Sequence, residues 1–384
     1  MRQQRRGKRK IVGTKVSMDY SLLFIIIFLL CFGLVMLYST SSYNALIKYG
    51  KATYYLEKQI LATGIGFVGM MLIAKMDYHR FVPLAAVAYI GSVICLILVK
   101  SPIGIEANGA TRWIGIGPLS FQPAEAAKLG LIMLMAVVIT NNRKRVGELK
   151  VTLGIGALAV PLVGLILILT KNMSSALIVA GIAVVMLFVA SPKYSHYVCI
   201  AAAGAAAVVL VLLFGSGFRF ERIQAWLNPE MYADGTAYQT LQSLYAIGSG
   251  GLVGKGLGQS VQKLGYVPEA QNDMIFSIIC EELGLFGGVA VILLFAFMIW
   301  RFMIIANNAK DLFGSMLVVG VLAHIAIQVI LNVAVVTNTF PNTGITLPFI
   351  SYGGTSIVFL MAEMGLVLSV SKYERTEISD RVRK

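Results

Sequence analysis

Ten apolar runs of about 17 to 25 residues divide the chain, at 18–38, 56–74, 80–99, 123–140, 151–169, 173–190, 195–214, 274–300, 312–337 and 350–371. A helix rising 1.5 Å per residue crosses the roughly 30 Å hydrocarbon layer in about twenty residues, so each run is predicted as a membrane span. One segment breaks the rhythm. Residues 215–273 are polar and glycine-rich, with Arg219, Arg222, Lys255 and Lys263, the run Gly248-Ser249-Gly250-Gly251, and Pro268-Glu269-Ala270-Gln271-Asn272-Asp273 directly before the eighth run. The predicted fold is all-α: about ten transmembrane helices in a single domain over 18–372, with a large loop at 215–272 between helices 7 and 8. A basic tail, 1–17, precedes it and a short tail, 373–384, follows.

Composition removes the competing classes. With 58% hydrophobic residues, 13% charged residues and a mean hydropathy of +0.80, the 384 residues lie outside the soluble globular range. The net charge of +14 is distributed unevenly: 21 of the 32 Lys and Arg residues fall in the tails and in the turns that share their side. By the positive-inside rule both termini are expected in the cytoplasm of a multi-pass protein of the bacterial cytoplasmic membrane. The charge therefore reports orientation and contact with anionic lipid, and no nucleic-acid partner is expected. The first run is long enough to span and lacks a small-residue cleavage site, so it is expected to be a retained anchor. The four cysteines sit inside apolar runs without CxxC spacing and read as buried small hydrophobes.

A charge near the bilayer centre costs about 2.5 to 3.5 kcal/mol, so each one retained calls for a partner or a use. Gln122, Glu125 and Lys128 recur every third residue on one face of the fourth helix, where Glu125 and Lys128 can pair. Asp273, Ser277, Glu281 and Glu282 line the start of the eighth helix, and Asp273 stands where an N-cap would. His324, Gln328 and Asn332 make a four-residue stripe on the ninth. The tenth opens with Ser351-Tyr352-Gly353-Gly354-Thr355-Ser356, and Glu363 lies deeper, where internal pairing is expected. Under the ten-span topology these sets converge on the outer face with the loop that carries Glu106, Asn108, Arg112 and Trp113.

That placement selects the chemistry. The outer face has no ATP pool, and the chain has neither a Walker A lysine motif nor a dinucleotide fingerprint behind a strand, so no nucleotide cofactor is expected. The GSGG and GKGLG stretches read as flexible turns. A substrate used there has to arrive activated, as a polyprenyl-diphosphate-linked sugar does. Its transfer needs a carboxylate to take a proton from the attacking hydroxyl and positive charge on the departing diphosphate. Asp273 is the best-placed base. A lipid-precursor flippase is the alternative, because buried polar stripes and many glycines suit a carrier as well.

RWIGIGPLSFQPAEAAKL (112–129), YQTLQSLYAIGSGGLVGKGLGQSVQKLGYVPEAQNDMIF (238–276), EELGLFGG (281–288) and PNTGITLPFISYGGTS (341–356) closely resemble the SEDS family of shape, elongation, division and sporulation proteins, and most of all its FtsW/SpoVE branch. The resemblance implies a peptidoglycan glycosyltransferase that polymerises lipid II during division or sporulation, beside a class B penicillin-binding transpeptidase and other membrane proteins of those processes. The family's essential aspartate falls on Asp273, its fourth-helix acid and lysine on Glu125 and Lys128, and its preceding loop pair on Arg112 and Trp113. Gln122, Lys263, Glu269, Ser351, Gly353 and Gly354 complete the expected substrate contacts. Asp273, Glu269 and Glu125 offer hard oxygen ligands for a divalent cation, Mg or Mn. Two departures stand out: Gln271-Asn272 replaces a common His-Thr before the aspartate, and Lys171-Asn172-Met173-Ser174-Ser175 replaces a Pro-Asp-containing start of the sixth helix.

Overall fold

A computed structural model describes residues 17–107, 110–116, 119–191, 193 and 223–373. Helices α1 (Tyr20–Tyr49), α2 (Tyr54–Lys75) and α3 (Leu84–Leu98) lead into a three-stranded antiparallel sheet, β1 (Gly104–Ala107), β2 (Ala110–Ile116) and β3 (Leu119–Phe121), ordered β1-β2-β3. Then follow α4 (Pro123–Asn141), the consecutive α5 (Leu149–Gly156) and α6 (Ala159–Leu169), α7 (Met173–Ala190), α8 (Tyr238–Gly250), α9 (Ile275–Asn308), α10 (Leu312–Val336) and α11 (Ser356–Ser371). Among the described residues, seven helical stretches are long and apolar enough to cross a membrane, α5 and α6 counting as one, and α3 and α11 are shorter apolar helices. Nine of the ten predicted runs thus correspond to helices; the run 195–214, with His196 and Cys199, and Arg219 and Arg222 beyond it, lies outside the described residues.

The helices carry apolar residues all round, as a lipid-exposed bundle requires. Phe24, Leu61, Val87, Ile168 and Phe286 are more than half exposed, while Leu22, Ile26, Met36, Leu131, Ile182 and Met364 are sealed in the core. Helix α10 is central, packed against α4, α7, α9 and α11.

Two polar ends follow from the pairing. At one, Asp19 caps α1 by accepting from Leu22 N at 3.0 Å, takes an ion pair from Arg301 of α9 at 2.5 Å, and donates its own N–H to Ser371 Oγ of α11 at 3.1 Å. Asp311 caps α10 there and binds Tyr78 Oη at 2.6 Å and His79 Nε2 at 2.7 Å. The described chain therefore begins and ends at the same end of the bundle. The opposite end holds the sheet, α8, and the loops 251–273 and 337–355.

At that end α9 is broken. Gly284 has φ 68 and ψ −168, and the ladder around it is completed by another segment: Lys255 N donates to Glu281 O (3.0 Å), Gly256 N to Glu282 O (2.9 Å), Leu285 N to Gly251 O (2.9 Å) and Phe286 N to Leu252 O (3.2 Å). Backbone groups in an apolar layer have no water to turn to, so a broken span needs such a substitute. The glycines expected to be flexible turns are therefore a rigid splice. Gly254, at φ +87, lies so close that a Cβ on it would stand 2.3 Å from Glu282 O.

Candidate active site

The sheet end gathers its polar residues onto a frame provided by α10. Asn332 Nδ2 donates to Ile345 O (2.6 Å) and to Asp273 O (2.8 Å), and Gln328, one turn away, donates from Nε2 to Thr346 O (3.0 Å). A four-residue step on one helix face thus grips two consecutive carbonyls of the 337–355 loop together with the backbone of Asp273. The stripe read from sequence is this frame.

On one side of it, Lys128 Nζ lies 2.7 Å from Glu125 Oε1 and 3.4 Å from Gln328 Oε1, both ions being nearly sealed from solvent. Glu125 occupies the first turn of α4, where the helix dipole favours an anion. The chain of contacts continues inwards: His324 Nε2 donates to Gln328 Oε1 at 2.8 Å, and Nδ1 lies 2.7 Å from Glu363 Oε2. Because Gln328 spends its NH₂ on Thr346 O, its oxygen faces His324, which fixes a proton on Nε2. Glu363 pairs internally, as expected. A cavity of about 20 Å³, room for about one water molecule, lies against Glu125, Gln328, Thr346, Ser351, Gly353 and Ser356. It brings Glu125, Ser351 and Gly353 together. The N–H groups of Gly353 and Gly354 both point at Gln59 Oε1, 3.3 Å away on α2.

On the other side lies Asp273. The cap position of α9 falls on Met274, without a side-chain cap bond, so Asp273 is not the N-cap that its place in the sequence suggests. Its carboxylate instead accepts from Gln239 Nε2 of α8, at 3.3 Å to Oδ1 and 3.4 Å to Oδ2. It is half-buried, keeping a narrow contact with solvent while packed deep among protein atoms. Burial pushes the carboxyl up to about 7, helped by the nearby Glu269 and opposed by the Gln239 donor and the adjacent backbone N–H groups. A base titrating there is matched to neutral pH. Glu269, exposed and at φ 52, is held by the side chain of Asn272. Gln271-Asn272, in place of His-Thr, therefore supplies an orienting amide and no titratable neighbour.

The remaining expected contacts divide. Arg112 and Trp113 stand on β2, not in a loop, Trp113 opposite Ile105 of β1, and Arg112 Nε reaches Thr170 O at 3.4 Å. The sheet joins the site where Thr355 Oγ1 donates to Ser120 O at 2.6 Å. Gln122 is the residue before α4 and makes no cap bond. Lys263 is not beside Asp273 in any hydrogen bond: its ammonium is committed to Glu282 (2.7 Å) and Ser39 (3.0 Å). Glu281 is likewise bound by Lys255 at 2.7 Å and by the hydroxyl of Ser260. The two acids of α9 clamp the 255–263 loop. Lys263 also lines a groove of about 590 Å³ between α1 and that loop, walled by Val35, Tyr38, Tyr43, Leu257 and Leu264.

Among the described residues no three His, Cys, Asp or Glu side chains gather into a group able to hold a metal ion. Asp273, Glu269 and Glu125 are therefore not a joint ligand set, and Glu125 is taken by Lys128.

Residues 20–376 match the FtsW/RodA/SpoVE model of cell cycle proteins. The chain belongs to this family. Stage V sporulation protein E of Bacillus subtilis is 38% identical over 363 residues, covering 94% of this chain and 99% of that protein. A probable peptidoglycan glycosyltransferase FtsW of Trichlorobacter lovleyi is 38% identical over 358 residues, covering 92% and 93%. Among solved structures, a chain from a peptidoglycan synthase complex superimposes with a TM-score of 0.77 at 28% identity, covering 93% of this chain and 98% of that one. The rod shape determining protein RodA of Thermus thermophilus does so with 0.67 at 28% identity, covering 97% and 100%. The FtsW/RodA/SpoVE protein described here is thus a multi-pass helical membrane protein. Gln59, Gln239 and Asn342, which join its site, were not singled out in the sequence because the partner of each lies on a segment distant in sequence.

Proposed function

We propose that this protein is a peptidoglycan glycosyltransferase that polymerises lipid II at the outer face of the cytoplasmic membrane, in division or sporulation, with Asp273 as the general base. The observation that carries the reading is Asp273 itself, a half-buried carboxylate raised to about 7 at the mouth of the bundle. Family membership and the relatives named as glycosyltransferases support the reaction. The basic tails and turns support the orientation, with the sheet end outside.

In the reaction the acceptor hydroxyl oxygen bonds to the anomeric carbon of the donor sugar while the bond from that carbon to the diphosphate oxygen breaks. The hydroxyl proton passes to Asp273, and the diphosphate leaves with the bonding pair. Inversion at the sugar carbon follows from direct displacement. A leaving diphosphate needs no protonation, so one carboxylate suffices, and positive charge does the rest. Arg112 of β2, at the same end of the bundle, is a candidate for that charge. A divalent cation, where one binds, would add charge at the diphosphate.

The likeness to a chain of a peptidoglycan synthase complex supports a class B penicillin-binding transpeptidase as partner. The test is a lipid II polymerisation gel with the purified protein and such a partner. Wild type makes glycan strands and Asp273→Ala loses about 10² to 10⁴ in rate; full activity in Asp273→Ala removes the residue from the mechanism.

A further inference from the structure

We propose that Gln239 and Asn342 are positioning residues that hold the Asp273 carboxylate as a proton acceptor. The inference rests on the reading of Asp273 as the general base and names the machinery that keeps it one. Neither residue is expected to touch the substrate; both act through Asp273.

The Asn342 side chain cannot turn round. The backbone N–H of Gly344 donates to Asn342 Oδ1 at 3.2 Å, which leaves the NH₂ of Asn342 pointing the other way, and Asn342 Nδ2 donates to Gln239 Oε1 at 3.0 Å. With its oxygen engaged, Gln239 can present only its NH₂ to Asp273. Those two protons reach both carboxylate oxygens, at 3.3 and 3.4 Å, and Pro268 O at 3.2 Å. Side-chain amides are symmetric enough in shape to flip, and each orientation here is set by the next group along. A flipped Gln239 would aim its carbonyl oxygen at the carboxylate, oxygen against oxygen.

The line also fixes the loop. Gln239 stands in the first turn of α8 and ties both ends of the segment 268–273, while Asn342 belongs to the loop that α10 holds through Asn332 and Gln328. Gly344, at φ +68, brings its backbone against the site: a Cβ there would lie 3.7 Å from Asp273 Oδ2. Three segments far apart in sequence therefore meet on one carboxylate.

Charge leaves the amide a definite task. Helix α8, helix α10 and the loop 337–355 carry no Asp, Glu, Lys or Arg; their titratable groups are Tyr238, Tyr245, His324 and Tyr352. On α9, Cys280, Glu281 and Glu282 lie about two turns further along, both acids being ion-paired, and Arg301 is bound at the far end. The charged neighbour is Glu269, which raises the Asp273 pKa as burial does, whereas Gln239 lowers it. Without the donor the carboxyl holds its proton to higher pH and ceases to be a base near neutrality.

The experiment is the pH profile of lipid II polymerisation between pH 5.5 and 9.5, with the transpeptidase partner present, for wild type, Gln239→Ala, Gln239→Glu, Asn342→Asp and Asp273→Ala. Gln239→Ala is expected to move the acid limb up by about one pH unit, a loss of about tenfold at pH 6.5 that shrinks towards parity at pH 9. Gln239→Glu keeps the shape but sets a second carboxylate beside the first, and moves the limb further. Asn342→Asp removes no atom next to Asp273, yet lets Gln239 turn its oxygen inwards, so its limb moves in the same direction. Melting temperatures separate a fold defect from a shifted limb: a variant that loses activity equally at every pH, or keeps the wild-type limb, overturns the proposal while an inactive Asp273→Ala leaves the base intact. An active Asp273→Ala overturns the base reading, and this inference with it.

Discussion

Lys263 Nζ lies 2.7 Å from Glu282 Oε1 with the carboxylate wholly shielded from solvent, and Ser39 of α1 hydrogen-bonds to both. A lysine read from sequence as a substrate contact is thus half of a buried ion pair joining α1, α9 and the long loop. Removing one member leaves a bare charge, which typically costs 3 to 5 kcal/mol, whereas replacing both with apolar residues is close to neutral. Lys263→Met alone is expected to lower the melting temperature sharply, and Lys263→Met with Glu282→Leu to restore it. Polymerisation by the double variant then decides the role: recovery assigns Lys263 to the scaffold, and a stable but inactive protein assigns it to the substrate.

Glu125 and Lys128 present the same choice in a different setting, because Glu125 also faces a water-sized cavity beside Ser351 and Gly353. Single substitutions, Glu125→Gln or Lys128→Met, are expected to cost stability by about 3 kcal/mol. The combined variant is expected to melt near wild type and remain without polymerase activity on the lipid II gel. Activity in the combined variant would make the pair architectural.

The pKa of Asp273 fixes two pH dependences. The base is competent when ionised, so the rate is expected to rise with pH through about 7. For stability the sign is opposite. The folded state keeps a proton that the unfolded chain releases between about pH 4 and 7, so stability falls across that window and the full cost applies above it. Asp273→Asn is therefore expected to stabilise the protein by about 2 kcal/mol at pH 8, after allowance for the group's partial exposure. At pH 4 it should change little. Thermal melts of the two proteins at both pH values check this.

The splice in α9 predicts severe glycine phenotypes. A Cβ at Gly254 would meet Glu282 O at 2.3 Å, and one at Gly284 would meet Leu252 O at 2.4 Å, both at positive φ. Gly254→Ala and Gly284→Ala are each expected to abolish the monodisperse peak in size-exclusion chromatography, while Gly258→Ala, whose Cβ meets nothing, costs only its backbone strain, about 1 kcal/mol.

The spans were legible because a 20-residue apolar run has few other uses, and the Glu125–Lys128 pair and an internal partner for Glu363 because buried charge demands company, though that the partner is His324 was not. The sheet was not. Arg112 and Trp113 sit in a segment of alternating character that is only three short strands long, and its pairing is set by contact with α4 and the 337–355 loop. Nor did the sequence disclose the splice, since glycine-rich runs look alike whether loose or locked. The role of Gln239 depends on Asn342, a hundred residues away, and on which way each amide faces.

Breaking a span and mending it with a distant stretch also dictates the order of assembly. When α9 enters the bilayer, the carbonyls of Glu281 and Glu282 and the amides of Leu285 and Phe286 have no mates within their own helix. Until residues 251–256 dock, those groups stand unpaired in an apolar medium, each at a cost of about 2 to 7 kcal/mol. Maturation of the enzyme is thereby tied to one docking event, which completes the helix and sets the reactive loop just ahead of it at the same moment.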